Sequence, residues 1–272
     1  MMEALPRLVA SDIDGTLLRD DATLSAHTAE VLARISARGT PVVLVTGRPI
    51  RWLKLVYDQL AEPVPAVCAN GAVVYDPVND EVLRADPLAP ELLAEVARRL
   101  RAEVPGVSFA VEIADSRQMR HEAHYPMRWD ADDTAIRVVT TPDELHSLPA
   151  VKLLVRAEEQ QDPDRFTELV ATALAGLAEA THSSRSGLVE ISAAGVTKAA
   201  GLAWYCHRLG IEADEVLAFG DMPNDVPLLT WAGRAVAVAN AHPAVREIAD
   251  EVTSANSVDG VAAYLEKVFG VD

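Results

Sequence analysis

Apolar residues gather in short unbroken blocks, not in single alternation. Leu8-Val9-Ala10, Val42-Val43-Leu44-Val45, Ala66-Val67-Cys68-Ala69 and Val216-Leu217-Ala218-Phe219 are such blocks. Runs of this kind predict strands covered on both faces, as in a parallel sheet flanked by helices. The first part reads strand (8–12), helix (26–38), strand (41–46), helix (51–60), strand (66–69). Ser25 suits the N-cap of the first helix and Gly39 its stop. After Asn70-Gly71, the segments 72–75 and 81–84 flank Asp76-Pro77-Val78-Asn79-Asp80 and read as a hairpin.

From 86 to 186 the style changes. Helices over 90–102 and 164–177 mix with strands over 107–113, 135–140, 151–156 and 181–185, without the glycine-bearing turns of the first part. From Leu188 the first style returns, with strands over 188–192, 216–219 and 235–238. Helices follow over 198–209, 225–231, 242–249 and 258–268. The predicted fold class is α/β. A Rossmann-like parallel-sheet core is formed by 1–85 and 187–272, and an α+β domain of 86–186 is inserted in it.

Composition narrows the function more than the fold. Half of the 272 residues are hydrophobic but aromatics are only 5%, so Val, Leu, Ala and Ile must fill the core. The net charge of −17 argues against nucleic acid as a partner, because that needs a basic surface. It leaves room for a small phosphorylated molecule, since local cations override global charge. Cys68 and Cys206 form no metal-type spacing and read as buried free thiols of a reducing compartment. No run approaches the roughly 18 apolar residues of a membrane span, and no signal peptide is visible. A soluble cytoplasmic protein with no membrane partner is the expectation.

Four motifs carry candidate chemistry. Asp12-Ile13-Asp14-Gly15-Thr16 ends the first strand. Carboxylates two apart on an extended chain share a side and repel each other, which a cation relieves. Thr46-Gly47-Arg48 ends the second strand and offers a hydroxyl and amides to a phosphate. Lys198 opens a helix after Thr197, against the helix dipole. Gly220-Asp221-Met222-Pro223-Asn224-Asp225 adds two acids and an amide after an apolar strand, a set that suits Mg²⁺. In an open α/β sheet such strand ends converge on one edge.

The four motifs, in this order and with an insert between the second and third, resemble the haloacid dehalogenase superfamily and its Cof-type phosphatase branch. Ser11–Leu18, Ala69-Asn70-Gly71-Ala72 and 220–225 carry the resemblance, and Ala199 departs from a glycine frequent in the branch. The resemblance implies a phosphatase with a large α/β cap. Asp12 is then the nucleophile, Asp14 the acid and base, and Lys198 the neutralising cation. Thr46, Gly47 and Asn224 hold the phosphoryl group. Asp12, Asp221 and the Asp14 backbone carbonyl hold Mg²⁺, with Asp225 in support of the metal site or of Lys198. A small phosphorylated metabolite, above all a sugar phosphate, is the expected substrate. A phosphomutase or phosphotransferase, or a regulator that only binds such a metabolite, stays open.

Further substrate contacts are expected from Arg48, Asn70 and Arg185, and from the polar-aromatic group His121, His124, Tyr125, Arg128 and Trp129 in the insert.

Overall fold

A computed structural model describes residues 5–126, 135–139, 141–157, 162–184 and 186–271. The chain opens with strand β1 (Leu8–Ser11), helix α1 (Ala26–Ala37), strand β2 (Val42–Val45), the short helix α2 (Lys54–Tyr57) and strand β3 (Ala66–Cys68). The hairpin β4 (Val73–Asp76) and β5 (Glu81–Ala85) follows. β1, β2 and β3 are buried at every position, as their unbroken apolar runs require. α1 begins where Ser25 accepts the Thr28 amide, buries Val31, Leu32 and Ile35, and is followed by Gly39 at positive φ.

The chain then leaves the first sheet through helix α3 (Pro90–Glu103). It continues with β6 (Val107–Ile113), β7 (Met119–Glu122), β8 (Ile136–Val139), helix α4 (Pro142–Leu145), β9 (Ala150–Ala157), helix α5 (Pro163–Leu174), β10 (Ala178–Thr181) and β11 (Leu188–Ala193). It returns through α6 (Lys198–Leu209), β12 (Val216–Gly220), α7 (Val226–Trp231), β13 (Arg234–Ala237), α8 (Pro243–Ile248), β14 (Glu251–Val252) and α9 (Gly260–Phe269).

The first sheet has the order β14-β13-β12-β1-β2-β3-β4-β5, parallel up to β3 and antiparallel across β4 and β5. β1 lies between β2 and β12, so the chain's connections run to opposite sides from the β1–β12 pair. Ligands bind beyond the strand ends at such a switch point. The fold is the expected α/β arrangement of a Rossmann-like core with an inserted unit.

The second sheet has the order β10-β11-β9-β6-β7-β8. One face, with Phe109, Val111, Leu153, Val155, Val189 and Ile191, packs under α3 and α5 in its own apolar core. Side chains alternate along strands, so Glu112, Lys152, Arg156 and Glu190 fall on the other face.

Three expectations need correction. The strand at 188–192 does not return to the core. As β11 it pairs with β9 and β10 in the second sheet, so that sheet extends to Ala193 and not to 186. The helix expected over 51–60 is a 3₁₀ turn at Ile50–Trp52 followed by four helical residues. Contacts with the insert compete with a regular helix here: the Ile50 amide donates to Ser116 Oγ and Arg51 pairs with Glu112. The strand expected over 181–185 runs instead over Ala178–Thr181, directly after the αL residues Ala175 and Gly176.

Candidate active site

The acidic loops meet at the carboxyl ends of β1 and β12, which are paired in register from Leu8–Val216 to Ser11–Phe219. Asp12 thus emerges one residue past β1, beside Asp221 one residue past β12. The close approach depends on Gly15, whose φ is +79° and where a Cβ would lie 2.5 Å from Asp221 Oδ2. Thr16 Oγ1 donates to Asp221 Oδ1 at 2.9 Å.

Lys198 comes from the start of α6, capped by Thr197 Oγ1 accepting from the Ala200 amide. Its ammonium is buried and donates to Asp12 Oδ1 at 2.6 Å and to Asp225 Oδ1 at 2.5 Å. Burial opposes its charge, but the two carboxylates outweigh this and hold it protonated. A helix-opening lysine placed against the dipole is accounted for by these bonds. Ala199 is an ordinary helical residue here, so the missing glycine leaves the turn intact.

Asp225 Oδ2 accepts the amides of Asp221 and Met222, each at 3.0 Å. With Lys198 on its other oxygen, Asp225 is fixed as the brace of this loop. Asp12, Asp221 and Asp225 each offer an oxygen within 4.8 Å of the others. Burial, followed by neighbouring carboxylates, pushes Asp221 up to about 7. Burial also pushes Asp12 well above the usual range, with Lys198 pulling against it. Three buried acids facing one ammonium leave excess negative charge, and a hard divalent cation with oxygen ligands fits it. Asp12 and Asp221 have oxygens to spare for such an ion, whereas those of Asp225 already receive three donors.

The carboxylate of Asp14 is not in this group. It is about half exposed and gripped on both oxygens by Arg48, at 2.7 and 2.6 Å. Arg48 therefore contacts the candidate acid directly. Thr46 is buried, and its hydroxyl accepts the Arg48 amide. Asn70 is not on the cavity wall: its Nδ2 donates to Glu190 and its Oδ1 accepts from Asn224 Nδ2. Because Glu190 can only accept, this chain of bonds fixes the sense of both amides. Asn224 presents its buried carbonyl oxygen, which has no partner, and donates one amino hydrogen to Asn70. The amino group carries two hydrogens and Asn70 takes one, so the second is left for the expected phosphate contact of Asn224, which lines the cavity.

A cavity of about 570 Å³ opens above the acidic loops and is roofed by the second sheet. Asp12, Asp14, Gly47, Arg48 and Asn224 form its floor. Glu112, Lys152, Arg156, Ser183, Ser184 and Glu190 form much of its roof. Lys152 Nζ bonds Glu190 Oε1 at 2.7 Å and the Gly47 carbonyl at 2.6 Å, tying roof to floor. Asp164 gives a further tie, with His182 at 2.8 Å and His242 at 3.2 Å on its two oxygens.

Of the insert residues expected to contact substrate, the two described histidines do not line the cavity, and other insert residues do. His121 is buried with Nδ1 on the Glu122 carbonyl, His124 is exposed beside Glu122, and neither lines the cavity. Arg128, Trp129 and Arg185 lie outside the described residues. The missed signal was a charged residue at alternate positions of apolar strands, as in Val151-Lys152-Leu153-Leu154-Val155-Arg156.

Residues 9–265 match the family described as haloacid dehalogenase-like hydrolase. The chain is 30% identical over 271 residues to 5-amino-6-(5-phospho-D-ribitylamino)uracil phosphatase YitU of Bacillus subtilis, covering 99% of this chain and 100% of that one. It is 30% identical to a phosphoglycolate phosphatase of Methanopyrus kandleri, covering 96% of each chain. Among solved structures, SMU.1108c of Streptococcus mutans UA159 shares the fold with a TM-score of 0.85 at 19% identity, over 98% of this chain and 100% of that one.

Proposed function

The chain belongs to the haloacid dehalogenase-like hydrolase family and is an enzyme of its phosphoric monoester hydrolases; on that premise we propose that it dephosphorylates a small metabolite through an aspartyl-phosphate on Asp12. The observation that carries this reading is the Asp12–Lys198–Asp225 bridge at the floor of the cavity. It fixes one carboxylate oxygen of Asp12 and neutralises charge beside the place where a phosphoryl group would sit.

In the first half-reaction an Asp12 oxygen attacks phosphorus and the bond to the leaving oxygen breaks. Asp14 gives its proton to that oxygen. In the second, Asp14 takes a proton from water as the water oxygen attacks phosphorus. The bond to Asp12 then breaks and phosphate leaves with Asp12 restored. Lys198, Thr46 and the Gly47 amide would face the charge that spreads over the phosphoryl oxygens. A metal ion, which we take as Mg²⁺, would be held by Asp12, Asp221 and the Asp14 backbone carbonyl. It would supply Lewis-acid masking of phosphate charge. Asp225 braces Lys198 and the loop of Asp221.

The roof supports a small substrate, because it covers a cavity of about 570 Å³, a volume that suits a small molecule and not a folded macromolecule. A sugar phosphate fits the cavity volume, with polar groups such as Lys152, Glu190 and Ser184 on the roof for its hydroxyls. The test is phosphate release from a panel of sugar and other metabolite phosphates, with Mg²⁺ and with EDTA. Release that needs the metal and is lost in Asp12→Asn is expected. Release by Asp12→Asn at the wild-type rate would refute the nucleophile. Conversion of a sugar 1-phosphate to its isomer, with no free phosphate, would favour a mutase.

A further inference from the structure

The cavity wall is closely balanced in charge. Arg48 is matched with Asp14, Lys152 with Glu190, Glu112 with Arg51, and Asp12 with Lys198. Arg156 is the exception. It lies on β9, four residues beyond Lys152 and on the same face of the second sheet, and it lines the same cavity. It is only 4% exposed, yet among the described residues no carboxylate lies within ion-pair distance of its guanidinium.

Its protein contacts are to neutral groups. One terminal nitrogen donates to the Ser186 carbonyl at 2.9 Å, the Tyr125 hydroxyl lies beside it, and Nε has no partner. Burial keeps the Tyr125 phenol protonated, so it supplies no counter-charge. A buried, unmatched cation costs free energy that a partner of opposite charge recovers. Guanidinium presents a planar fork that fits two oxygens of one anion. Among the described residues the rest of the roof offers no second unmatched charge, so the specificity this cation gives is for an anion and not for a cation.

We infer that Arg156 binds a second anionic group, a carboxylate or a phosphate, carried by the leaving-group portion of the substrate. This rests on the phosphatase reading and narrows its substrate class. The phosphate monoester sits on the floor at Asp12, and the second anion reaches the roof at Arg156. Lys152 and Glu190, which neutralise each other, are left to position neutral hydroxyls between them.

The test compares matched esters on the Mg²⁺-loaded enzyme. 3-Phosphoglycerate against glycerol 3-phosphate adds a carboxylate. Fructose 1,6-bisphosphate against fructose 6-phosphate adds a phosphate. p-Nitrophenyl phosphate reports the phosphatase activity itself. Wild type should show a higher kcat/KM for the doubly anionic member of at least one pair, and which pair tells the source of the anion. Arg156→Met should lower that preference by roughly 10- to 100-fold, mainly through KM, as expected for a lost charge-assisted pair. Arg156→Lys should recover part of it, and melting curves should show both variants folded. No preference in either pair, or equal losses on both members, overturns the inference while leaving the phosphatase reading standing. Absence of turnover with every ester, p-nitrophenyl phosphate included, removes both.

Discussion

At the scale of residues, the candidate chemistry was legible where it sits at strand ends. Asp12, Asp14, Thr46, Lys198, Asp221 and Asp225 stand in short motifs after apolar runs or at a helix start, so their convergence followed from topology. Glu112, Lys152, Arg156 and Glu190 did not stand out. Alternating charge on an antiparallel strand ordinarily marks a solvent face. Here that face is turned toward the active site, which no local pattern reports. The sense of the Asn224 amide was equally hidden, because Glu190 sets it through Asn70, which lies 154 residues from Asn224 along the chain.

Two predictions belong to this scale. Asp14→Asn should cut turnover of alkyl phosphates by about 10²- to 10⁴-fold, the usual share of a general acid. The loss should be much smaller with p-nitrophenyl phosphate, whose leaving group needs little protonation. Equal losses on both would remove Asp14 from the acid role. The second concerns pH. With its pKa up to about 7 when folded, metal-free Asp221 binds its proton more tightly than in the unfolded chain. The stabilisation from that proton is present at acid pH and is lost as pH rises toward the folded value. In EDTA the melting temperature should therefore fall between about pH 5 and pH 7.5. Mg²⁺ should reduce the fall by replacing the proton, and Asp221→Asn should flatten it. A melting temperature that rises over this interval in EDTA, and no less steeply in wild type than in Asp221→Asn, would contradict the burial of excess acid charge.

At the scale of elements, the first sheet was readable because each strand is a continuous apolar run and α1 has both caps. The sheet membership of β11 was not. Its run Leu188-Val189-Glu190-Ile191 resembles a core strand locally, and only the register Glu190–Leu154 assigns it to the second sheet. β7 escaped because Met119-Arg120-His121-Glu122 has no clear period. Its buried polar residues are satisfied by tertiary bonds, such as Glu122 to the Phe109 amide. One joint between elements positions the lysine. Gly71 has φ +105°, and a Cβ there would lie 1.9 Å from the Thr197 carbonyl oxygen, at the cap of α6. Gly71→Ala should destabilise the fold by about 1–3 kcal/mol from backbone strain alone. Displacing the start of α6 should also lower kcat. An unchanged urea midpoint with full activity would show that α6 does not depend on this contact.

At the scale of the whole molecule, a cavity lies between the two sheets, and polar contacts help to join them. Arg51 with Glu112, Lys152 with the Gly47 carbonyl, and Asp164 between His182 and His242 join the insert to the core. Ionic ties of this kind can release and reform without exposing a large apolar surface, which suits a roof that must admit substrate and then shed water. No described helix is long and apolar enough to cross a membrane. The most direct test of the central claim is to quench the Mg²⁺-loaded enzyme in acid during turnover of its best substrate and to map protein-bound phosphate by peptide mass. The expected result is a single extra phosphoryl group on Asp12, removed by hydroxylamine and absent in Asp12→Asn. Steady phosphate release with no phosphoryl group on Asp12, or release undiminished in Asp12→Asn, would contradict it.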